Sequence, residues 1–161
     1  MTSLHWIPEA NPHRLATMPR PHSGDRLGQD LQYWRLEGLE TIVCLLAHDE
    51  VKDLGLKSEG RLWAEMGGDF IHFPITDRGV PTSVKETIAL VQEITAQLRA
   101  GTSVGVHCRA GIGRASLIAA CTLHQLGISH RDIYPAISRA RGIQVPDTSQ
   151  QIDWLDQFVK L

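Results

Sequence analysis

The chain has 161 residues, of which 42% are hydrophobic and 21% are charged, a composition that fits one globular domain long enough to bury a core. Its formal net charge of −2 at pH 7 provides no general attraction to nucleic acid or to anionic membranes, so neither is expected as a partner. The longest apolar run, Ile42 to Ala47, is far too short to cross a bilayer.

Strand-like and helix-like segments alternate along the first half of the chain. The segment HRLATMPRPHSG predicts a short strand followed by a loop that is rich in turn residues. Residues 25–37 predict a helix, and the continuous apolar run from Glu40 to Ala47 predicts a strand that is covered on both faces. A helix around 58–66 and a strand over 69–75 complete this half.

The second half begins with the clearest helix of the sequence. Ser83 and Glu86 form the pattern of a capping box, and apolar residues then recur at spacings of three and four until Gly101 ends the helix. The remaining predicted elements are a strand SVGVH, a helix over about 113–126, a helix capped by Ser129 and a helix from about Thr148 to the end.

Strands that alternate with helices predict an α/β fold, here a single domain with a mainly parallel central sheet and helices on both faces. In sheets of this kind, ligands bind at the carboxyl ends of the strands. Cys108 directly follows the strand SVGVH. The sequence therefore places a cysteine where a ligand site is expected.

The segment SVGVHCRAGIGRAS, residues 103–116, combines this strand with a glycine-containing loop and the start of a helix. Such a loop wraps backbone N–H groups around an anion, and its glycines leave room for a phosphate to approach. These donors and a nearby cation favour the thiolate form of Cys108, which makes it a candidate nucleophile. The candidate phosphate-binding residues are Arg109, Ala110, Gly111, Ile112, Gly113 and Arg114.

The two ends of this loop have distinct expected tasks. Arg114 can bind two phosphate oxygens with its planar guanidinium group. His107 is expected to face away from the ligand and to bond neighbouring backbone, which would hold the loop in shape. The alternative interpretation is a buried cysteine that ends a core strand before a glycine turn.

The spacing of a His-Cys pair, five residues and an arginine resembles the loop of the cysteine-dependent protein phosphatases. The segment FPITDRGVP, about 31 residues before Cys108, is similar to the general-acid loop of the dual-specificity phosphatases, and most of all to that of the cyclin-dependent-kinase-associated group. The segment RGIQVPDTSQQIDWL resembles the C-terminal part of that group. This resemblance implies an N-terminal extension over residues 1–13 and a phosphatase domain over 14–161.

The resemblance also implies a two-step, metal-independent hydrolysis. Cys108 attacks phosphorus while Asp77 protonates the leaving oxygen, and the loop amides and Arg114 stabilise charge on the phosphoryl oxygens. Water then attacks the cysteinyl-phosphate with Asp77 as the base. Gln151 is a supporting candidate that would place this water, and an exposed helix glutamine is the equal alternative. The implied partner is a phosphoprotein that carries phosphotyrosine, and also phosphoserine or phosphothreonine.

Two residues leave open questions within this resemblance. Most relatives carry serine or threonine where this chain has Ala115, and that hydroxyl steadies the departing thiolate. Because Ser116 lies about 100° further round the helix, we expect it to point elsewhere and the cysteinyl-phosphate to break down slowly. Cys44 is the second question, since some relatives protect the nucleophile with a disulfide to a neighbouring strand, and core packing is the alternative.

Other functions stay open at this stage. A basic residue at Arg109 partly supports a phosphoinositide phosphatase, an RNA 5′-phosphate phosphatase is a further option, and Ala115 is compatible with a weakly active phosphate-binding pseudophosphatase. Arg139 and Arg141 either contact an anionic substrate or are solvated cations at a helix end.

No metal or cofactor is expected, because the eight histidines show no spacing typical of metal ligands and no CxxC pair occurs. The three cysteines are an odd and sparse set, which argues against a disulfide framework. The start of the chain, MTSLHWIPEANPHR, lacks the apolar region of a signal peptide. These features lead us to expect a cytoplasmic protein.

Overall fold

A computed structural model describes all 161 residues of the chain. Its five strands form one sheet in the order β1-β2-β5-β3-β4, in which β1 is antiparallel to β2 and every other pair is parallel. This is the mainly parallel α/β architecture that the alternation of elements predicted. The strands are β1 (His5–Trp6), β2 (Leu15–Met18), β3 (Thr41–Cys44), β4 (Asp69–His72) and β5 (Val104–His107).

Seven α-helices cover the two faces of the sheet. They are α1 (Asp25–Leu36), α2 (His48–Asp53), α3 (Glu59–Glu65), α4 (Val84–Arg99), α5 (Arg114–Gln125), α6 (His130–Arg141) and α7 (Ser149–Phe158). A 3-10 helix, Pro8–Ala10, follows β1. None of the helices combines the length and the apolar character needed to cross a bilayer.

The sheet separates two hydrophobic cores. The larger core has 26 buried residues, packs α4 to α7 against one face and contains Cys108. The smaller core has 10 buried residues, packs α1 and α3 against the other face and contains Cys44. Because side chains alternate along a strand, β3 contributes Val43 to the larger core and Ile42 to the smaller one.

The predicted elements lie within a few residues of those observed, and the differences are short segments. The strand β1 and the 3-10 helix lie inside the segment predicted as an extension, and they place Ile7 and Ala10 in the larger core. The helix α2 was not predicted, because its six residues are too few to show a helical period. It directly follows the β3 segment, at the carboxyl edge of the sheet.

The caps of the helices follow their sequence signals in part. The Oγ of Ser83 accepts a hydrogen bond from the backbone N–H of Glu86 at 3.1 Å, as expected for an N-cap. Thr148 forms a full capping box with Gln151 at the start of α7. Ser129 occupies the N-cap position of α6, but its side chain makes no capping bond.

Candidate functional site

The loop of residues 108–113 joins β5 to α5 at the carboxyl edge of the sheet. Gly111 has a φ of +71°, and a Cβ at this position would lie 2.6 Å from the carbonyl carbon of Met18, so the loop can take this path only with glycine. The carbonyl of Arg109 accepts a hydrogen bond from the backbone N–H of Arg20 at 3.2 Å. The loop is thus held against the chain that follows β2.

The backbone N–H groups of residues 109–113 donate no hydrogen bond within the protein. The same loop, with Asp77, Arg78 and Asp147, lines a cavity of about 260 Å³. Adjacent unpaired N–H groups at the start of a helix are the donors that phosphate-binding loops present to an anion. The loop therefore has the chemistry of an oxyanion site.

Cys108 lines this cavity at the end of β5, although its side chain is only 3% exposed. Arg114, the first residue of α5, is 2% exposed and lines the same cavity. A thiol and a guanidinium group are thus brought together beside the unpaired N–H groups. This cluster can bind a tetrahedral oxyanion and present a sulfur nucleophile to it.

Arg114 is held by three partners. Its Nη1 donates to the Oε1 of Glu50 at 2.6 Å and to the carbonyl of Ile75 at 2.8 Å. Its Nη2 donates to the Oε2 of Glu50 at 3.1 Å and to the Oδ1 of Asp77 at 2.9 Å. Burial works against the charge of Arg114, but the bond to Glu50 and the nearby Cys108, Glu50 and Asp77 raise its pKa overall, so the group is a fixed cation.

Glu50 is the main site residue that the sequence analysis missed. It lies on α2, is buried, and accepts further bonds from the backbone N–H of Ala47 at 2.9 Å and from the Nε of Arg109 at 3.1 Å. Burial alone would raise its pKa, but the bonds to Arg114, Ala47 and Arg109 lower it to about 2. The available signal was the polar segment HDE directly after a buried strand, where the fold predicts a ligand site.

His107 is completely buried behind the loop. Its Nδ1 lies 3.2 Å from the carbonyl oxygen of Cys108, and its Nε2 lies 2.7 Å from the Oε2 of Glu59. Burial lowers the pKa of the ring. The charge of Glu59 and the neighbouring Cys44 raise it by more than this, so the pKa of His107 lies well above its ordinary value. In its charged form the ring donates to both oxygens and fixes the loop at Cys108.

Cys44, Glu59 and His107 place their donor atoms within 4.8 Å of one another. Both ring nitrogens of His107 already bond to protein oxygens, so the cluster forms a hydrogen-bonded network. Cys44 is paired in register with His107 and belongs to the smaller core, whereas Cys108 belongs to the larger core. This placement favours core packing of Cys44 over a disulfide with Cys108.

Asp77 is an exposed residue of the loop between β4 and α4, and its side chain reaches Arg114. Arg78 follows it with a φ of +59°, an uncommon angle for a residue with a side chain. The carbonyl of Gly79 in this loop accepts a hydrogen bond from the Nε2 of Gln151 at 3.1 Å. The loop that carries Asp77 is thus attached both to Arg114 and to α7.

Gln151 is fully buried. The alternative of an exposed helix glutamine is therefore wrong, because the side chain bridges three backbone groups. Its Oε1 accepts from the N–H groups of Asp147 and Thr148 at 3.1 and 3.2 Å, and its Nε2 donates to Gly79. A Cβ on Gly113 would approach this amide to 2.8 Å, so glycine there lets α7 pack against the loop.

The first turn of α5 lacks, at Ala115, the hydroxyl that the family resemblance leads one to expect after Arg114. Ala115 is completely buried and offers no hydroxyl. Ser116 is also completely buried, and its Oγ has no hydrogen-bond partner. The serine hydroxyl is therefore not bonded to Cys108 or to any other residue of the site.

The two arginines near the end of α6 differ in their contacts. Arg141 donates from Nη2 to the carbonyl of Ala110 at 3.1 Å and so touches the loop directly. Arg139 is exposed and pairs with Glu9, with 2.9 Å between Nη2 and Oε2. Of this pair, only Arg141 touches the loop, and neither arginine lines the cavity that holds Cys108.

Comparison with known proteins gives consistent matches. Residues 16–127 match the family model described as a polymorphic toxin system DSP-PTPase phosphatase. The chain is 27% identical over 123 residues to human cyclin-dependent kinase inhibitor 3, a match that covers 75% of this chain and 58% of that protein. The chain thus spans less than two thirds of the length of this curated relative.

The fold matches solved phosphatase structures along almost the whole chain. A kinase associated phosphatase with its catalytic cysteine changed to serine superposes with a TM-score of 0.88 at 22% identity, covering 99% of this chain and 94% of that one. Tk-PTP in the active form superposes with a TM-score of 0.80 at 23% identity, covering 98% and 97%. At these identities the superpositions show the common fold.

Proposed function

The chain belongs to the DSP-PTPase phosphatase family, and we propose that it hydrolyses phosphomonoesters of phosphoproteins through a cysteinyl-phosphate on Cys108. The observation that carries this proposal is the cluster of Cys108, Arg114 and a loop whose N–H groups at 109–113 have no partner in the protein. We propose residues 14–161 as the phosphatase domain, with residues 1–13 as an extension that adds β1 to the sheet.

Substrate binding follows from the loop and its arginine. The phosphate oxygens accept from the N–H groups of residues 109–113 and from the guanidinium group of Arg114. A phosphoryl oxygen competes with Asp77 for the Nη2 of Arg114, which now bonds to the Oδ1 of Asp77 at 2.9 Å. Binding therefore frees the Asp77 carboxyl group to turn towards the ester oxygen.

In the first chemical step, the thiolate of Cys108 attacks phosphorus and forms the S–P bond. The P–O bond to the leaving group breaks, and the carboxylic acid of Asp77 gives its proton to the leaving oxygen. Charge on the phosphoryl oxygens is stabilised by the loop N–H groups and by Arg114, which Glu50 holds in position. None of these tasks requires a metal ion or a cofactor.

In the second step, the oxygen of a water molecule attacks phosphorus and the S–P bond breaks. Asp77, now a carboxylate, takes a proton from this water, and Cys108 leaves as a thiolate that the loop N–H groups stabilise. Gln151 supports this step by holding the loop that carries Asp77, through a bond to the carbonyl of Gly79. We propose Gln151 and His107 as supporting residues and Cys108, Arg114 and Asp77 as the catalytic ones.

Phosphotyrosine is the proposed main substrate, and phosphoserine and phosphothreonine are further substrates. The small cavity of about 260 Å³ suits a phosphorylated side chain, and Ile112 provides an apolar contact on its wall. The neighbouring Arg78 and Asp147 offer polar groups to the substrate main chain.

The test is the hydrolysis of p-nitrophenyl phosphate and of a phosphotyrosine peptide by the wild type, Cys108→Ser and Asp77→Asn. We expect the wild type to release phosphate, the serine variant to release none, and the asparagine variant to lose more activity on the peptide, whose leaving group needs its proton more. Circular dichroism and inorganic phosphate binding show whether each variant keeps its fold and its loop. If the wild type binds phosphate but releases no product, the protein is a phosphate-binding module and not an enzyme.

A further inference from the structure

The second step of the proposed reaction needs a group that orients the attacking water, and Gln151 does not reach that water. Its Oε1 accepts from the N–H groups of Asp147 and Thr148, and its Nε2 donates to the carbonyl of Gly79. The residue is completely buried and does not line the cavity that holds Cys108. Another side chain must therefore hold the water.

Few side chains on the wall of this cavity can accept a hydrogen bond from water. Its charged members are Asp77, Arg78, Arg109, Arg114 and Asp147. Because arginine has donors only, the carboxylates of Asp77 and Asp147 are the side-chain oxygen acceptors on the wall. Asp77 already has the task of proton transfer in both steps. Asp147 is the second carboxylate, and it has no task in the second step so far.

The carboxylate of Asp147 has no partner in the protein. It takes part in no ion pair. Its backbone N–H donates to Gln151 at 3.1 Å, but neither carboxylate oxygen accepts a hydrogen bond from a protein group. The residue is exposed, and a carboxylate offers about four lone-pair sites to donors. All of these sites are open to water.

The same carboxylate lies directly beside the loop of residues 108–113. A Cβ on Gly113 would lie 2.9 Å from the Oδ2 of Asp147, and Gly113 is the loop residue that caps α5. The N–H groups of this loop are the proposed donors to the phosphoryl oxygens. Two negative groups that face one cavity repel each other directly, whereas a water molecule between them can bond to both.

Gln151 holds the backbone next to both carboxylates. Its Oε1 bonds to the N–H of Asp147, and its Nε2 bonds to the carbonyl of Gly79, which lies in the loop that carries Asp77. The N–H of Gln151 in turn donates to the Oγ1 of Thr148 at 3.2 Å. One buried amide at the start of α7 therefore fixes the two carboxylates relative to each other, although it does not touch the water.

We propose that Asp147 orients the attacking water in the second step while Asp77 takes the proton of that water. This inference rests on the proposed function, because it assigns a task in the breakdown of the cysteinyl-phosphate. After the dephosphorylated product leaves, a water molecule donates one O–H to Asp147 and the other to Asp77. Its oxygen forms the O–P bond, the S–P bond breaks, Cys108 leaves as a thiolate and Asp77 receives the proton. Asp147 keeps its charge and its hydrogen bond throughout.

The test measures the two steps separately in the wild type and in Asp147→Ala, with p-nitrophenyl phosphate as the substrate. Release of p-nitrophenol in the first turnover reports the formation of the cysteinyl-phosphate. Acid quenching and intact mass report its disappearance once the substrate is used up. We expect disappearance to slow about tenfold in Asp147→Ala, the size of one charge-assisted hydrogen bond. Formation should not slow, because the loss of a negative charge does not weaken the binding of an anion. Asp153→Ala, an exposed aspartate on α7, should match the wild type in both steps.

Disappearance of the cysteinyl-phosphate at the wild-type rate in Asp147→Ala would overturn the inference. Equal slowing of both steps would also overturn it, because it would show that Asp147 acts on the shape of the loop and not on the water. A wild type that releases no p-nitrophenol would refute the proposed function, and the inference with it, so the wild type alone separates the two failures. If circular dichroism shows that Asp147→Ala does not fold, Asp147→Asn, which keeps one acceptor oxygen, gives the same comparison with a smaller expected slowing of the second step alone.

Discussion

Glu50 and Arg114 form a two-point ion pair, with 2.6 Å between Oε1 and Nη1 and 3.1 Å between Oε2 and Nη2. The residues come from α2 and α5 and are both buried. Two parallel bonds fix the plane of a guanidinium group as well as its position. The pair therefore sets the direction in which the Nε of Arg114, and its Nη2 once Asp77 is displaced, can face a phosphate.

The first prediction concerns this orientation. Glu50→Gln keeps the shape of the side chain but removes the charge and one acceptor, so Arg114 can rotate away from its present plane. We expect kcat/KM for p-nitrophenyl phosphate to fall by about tenfold to 100-fold, because small misplacements of a binding group have effects of this size. The control is Asp49→Asn, an exposed neighbour on the same helix. Wild-type kcat/KM in a folded Glu50→Gln protein would show that the pair does not position Arg114.

The second prediction is the loss of stability in acid. The pKa of Glu50 is lowered from 4.5 to about 2 in the folded protein, so its stabilising contribution is complete above pH 5 and declines as the pH falls towards 2. The shift corresponds to about 3 kcal/mol. We expect the free energy of unfolding of the wild type minus that of Glu50→Gln, measured with urea between pH 2.5 and 7, to shrink as the pH falls. A value that is the same at every pH would contradict the lowered pKa of Glu50.

Local patterns explain which parts of the fold were predictable. The helix α4 was visible because a cap, an apolar period and a terminal glycine occur together in one stretch of sequence. Similarly, a buried parallel strand such as β3 appears as a continuous apolar run. The strand β1 has two residues and depends on pairing with β2, so no period of its own could predict it.

The two halves of the candidate site differ in how far a single sequence reveals them. Cys108, Arg114 and the loop between them are contiguous, and their spacing carries the chemistry. Glu50 lies 64 residues before Arg114, and Glu59 lies 48 residues before His107. These carboxylates meet their partners only through the order of the strands, which a single sequence does not reveal.

The third prediction concerns the residue after the loop arginine. Ala115 offers no hydroxyl, and the Oγ of Ser116 bonds to no other group, so neither can steady the departing thiolate of Cys108. We expect a rapid burst of p-nitrophenol followed by slow turnover in the wild type. Ala115→Ser should raise the steady-state rate severalfold. The absence of a burst, together with unchanged turnover in this variant, would refute slow breakdown of the cysteinyl-phosphate.

The matched control for that experiment is Ser116→Ala. Its hydroxyl is buried without a partner, so its removal should leave the steady-state rate unchanged and raise the free energy of unfolding by about 1 kcal/mol. Urea unfolding measures this gain directly. A lower steady-state rate in Ser116→Ala would show that this hydroxyl takes part in turnover.

The fourth prediction uses the buried pair of Glu59 and His107. The pKa of His107 is raised well above 6.5, so the contribution of its charged form is complete below pH 6.5 and declines as the pH rises towards the folded pKa. In Glu59→Gln the charge that most raises the pKa of His107 is gone, and burial then favours the neutral ring. The free energy of unfolding of the wild type minus that of the variant should therefore fall steadily from pH 5 to 8, by at most about 1.4 kcal/mol per pH unit. Glu65→Gln, which breaks only the exposed pair with Arg61 on the same helix, should show a difference that does not change with pH. If Glu59→Gln behaves as this control does, His107 is neutral and the loop at Cys108 is not held by an imidazolium.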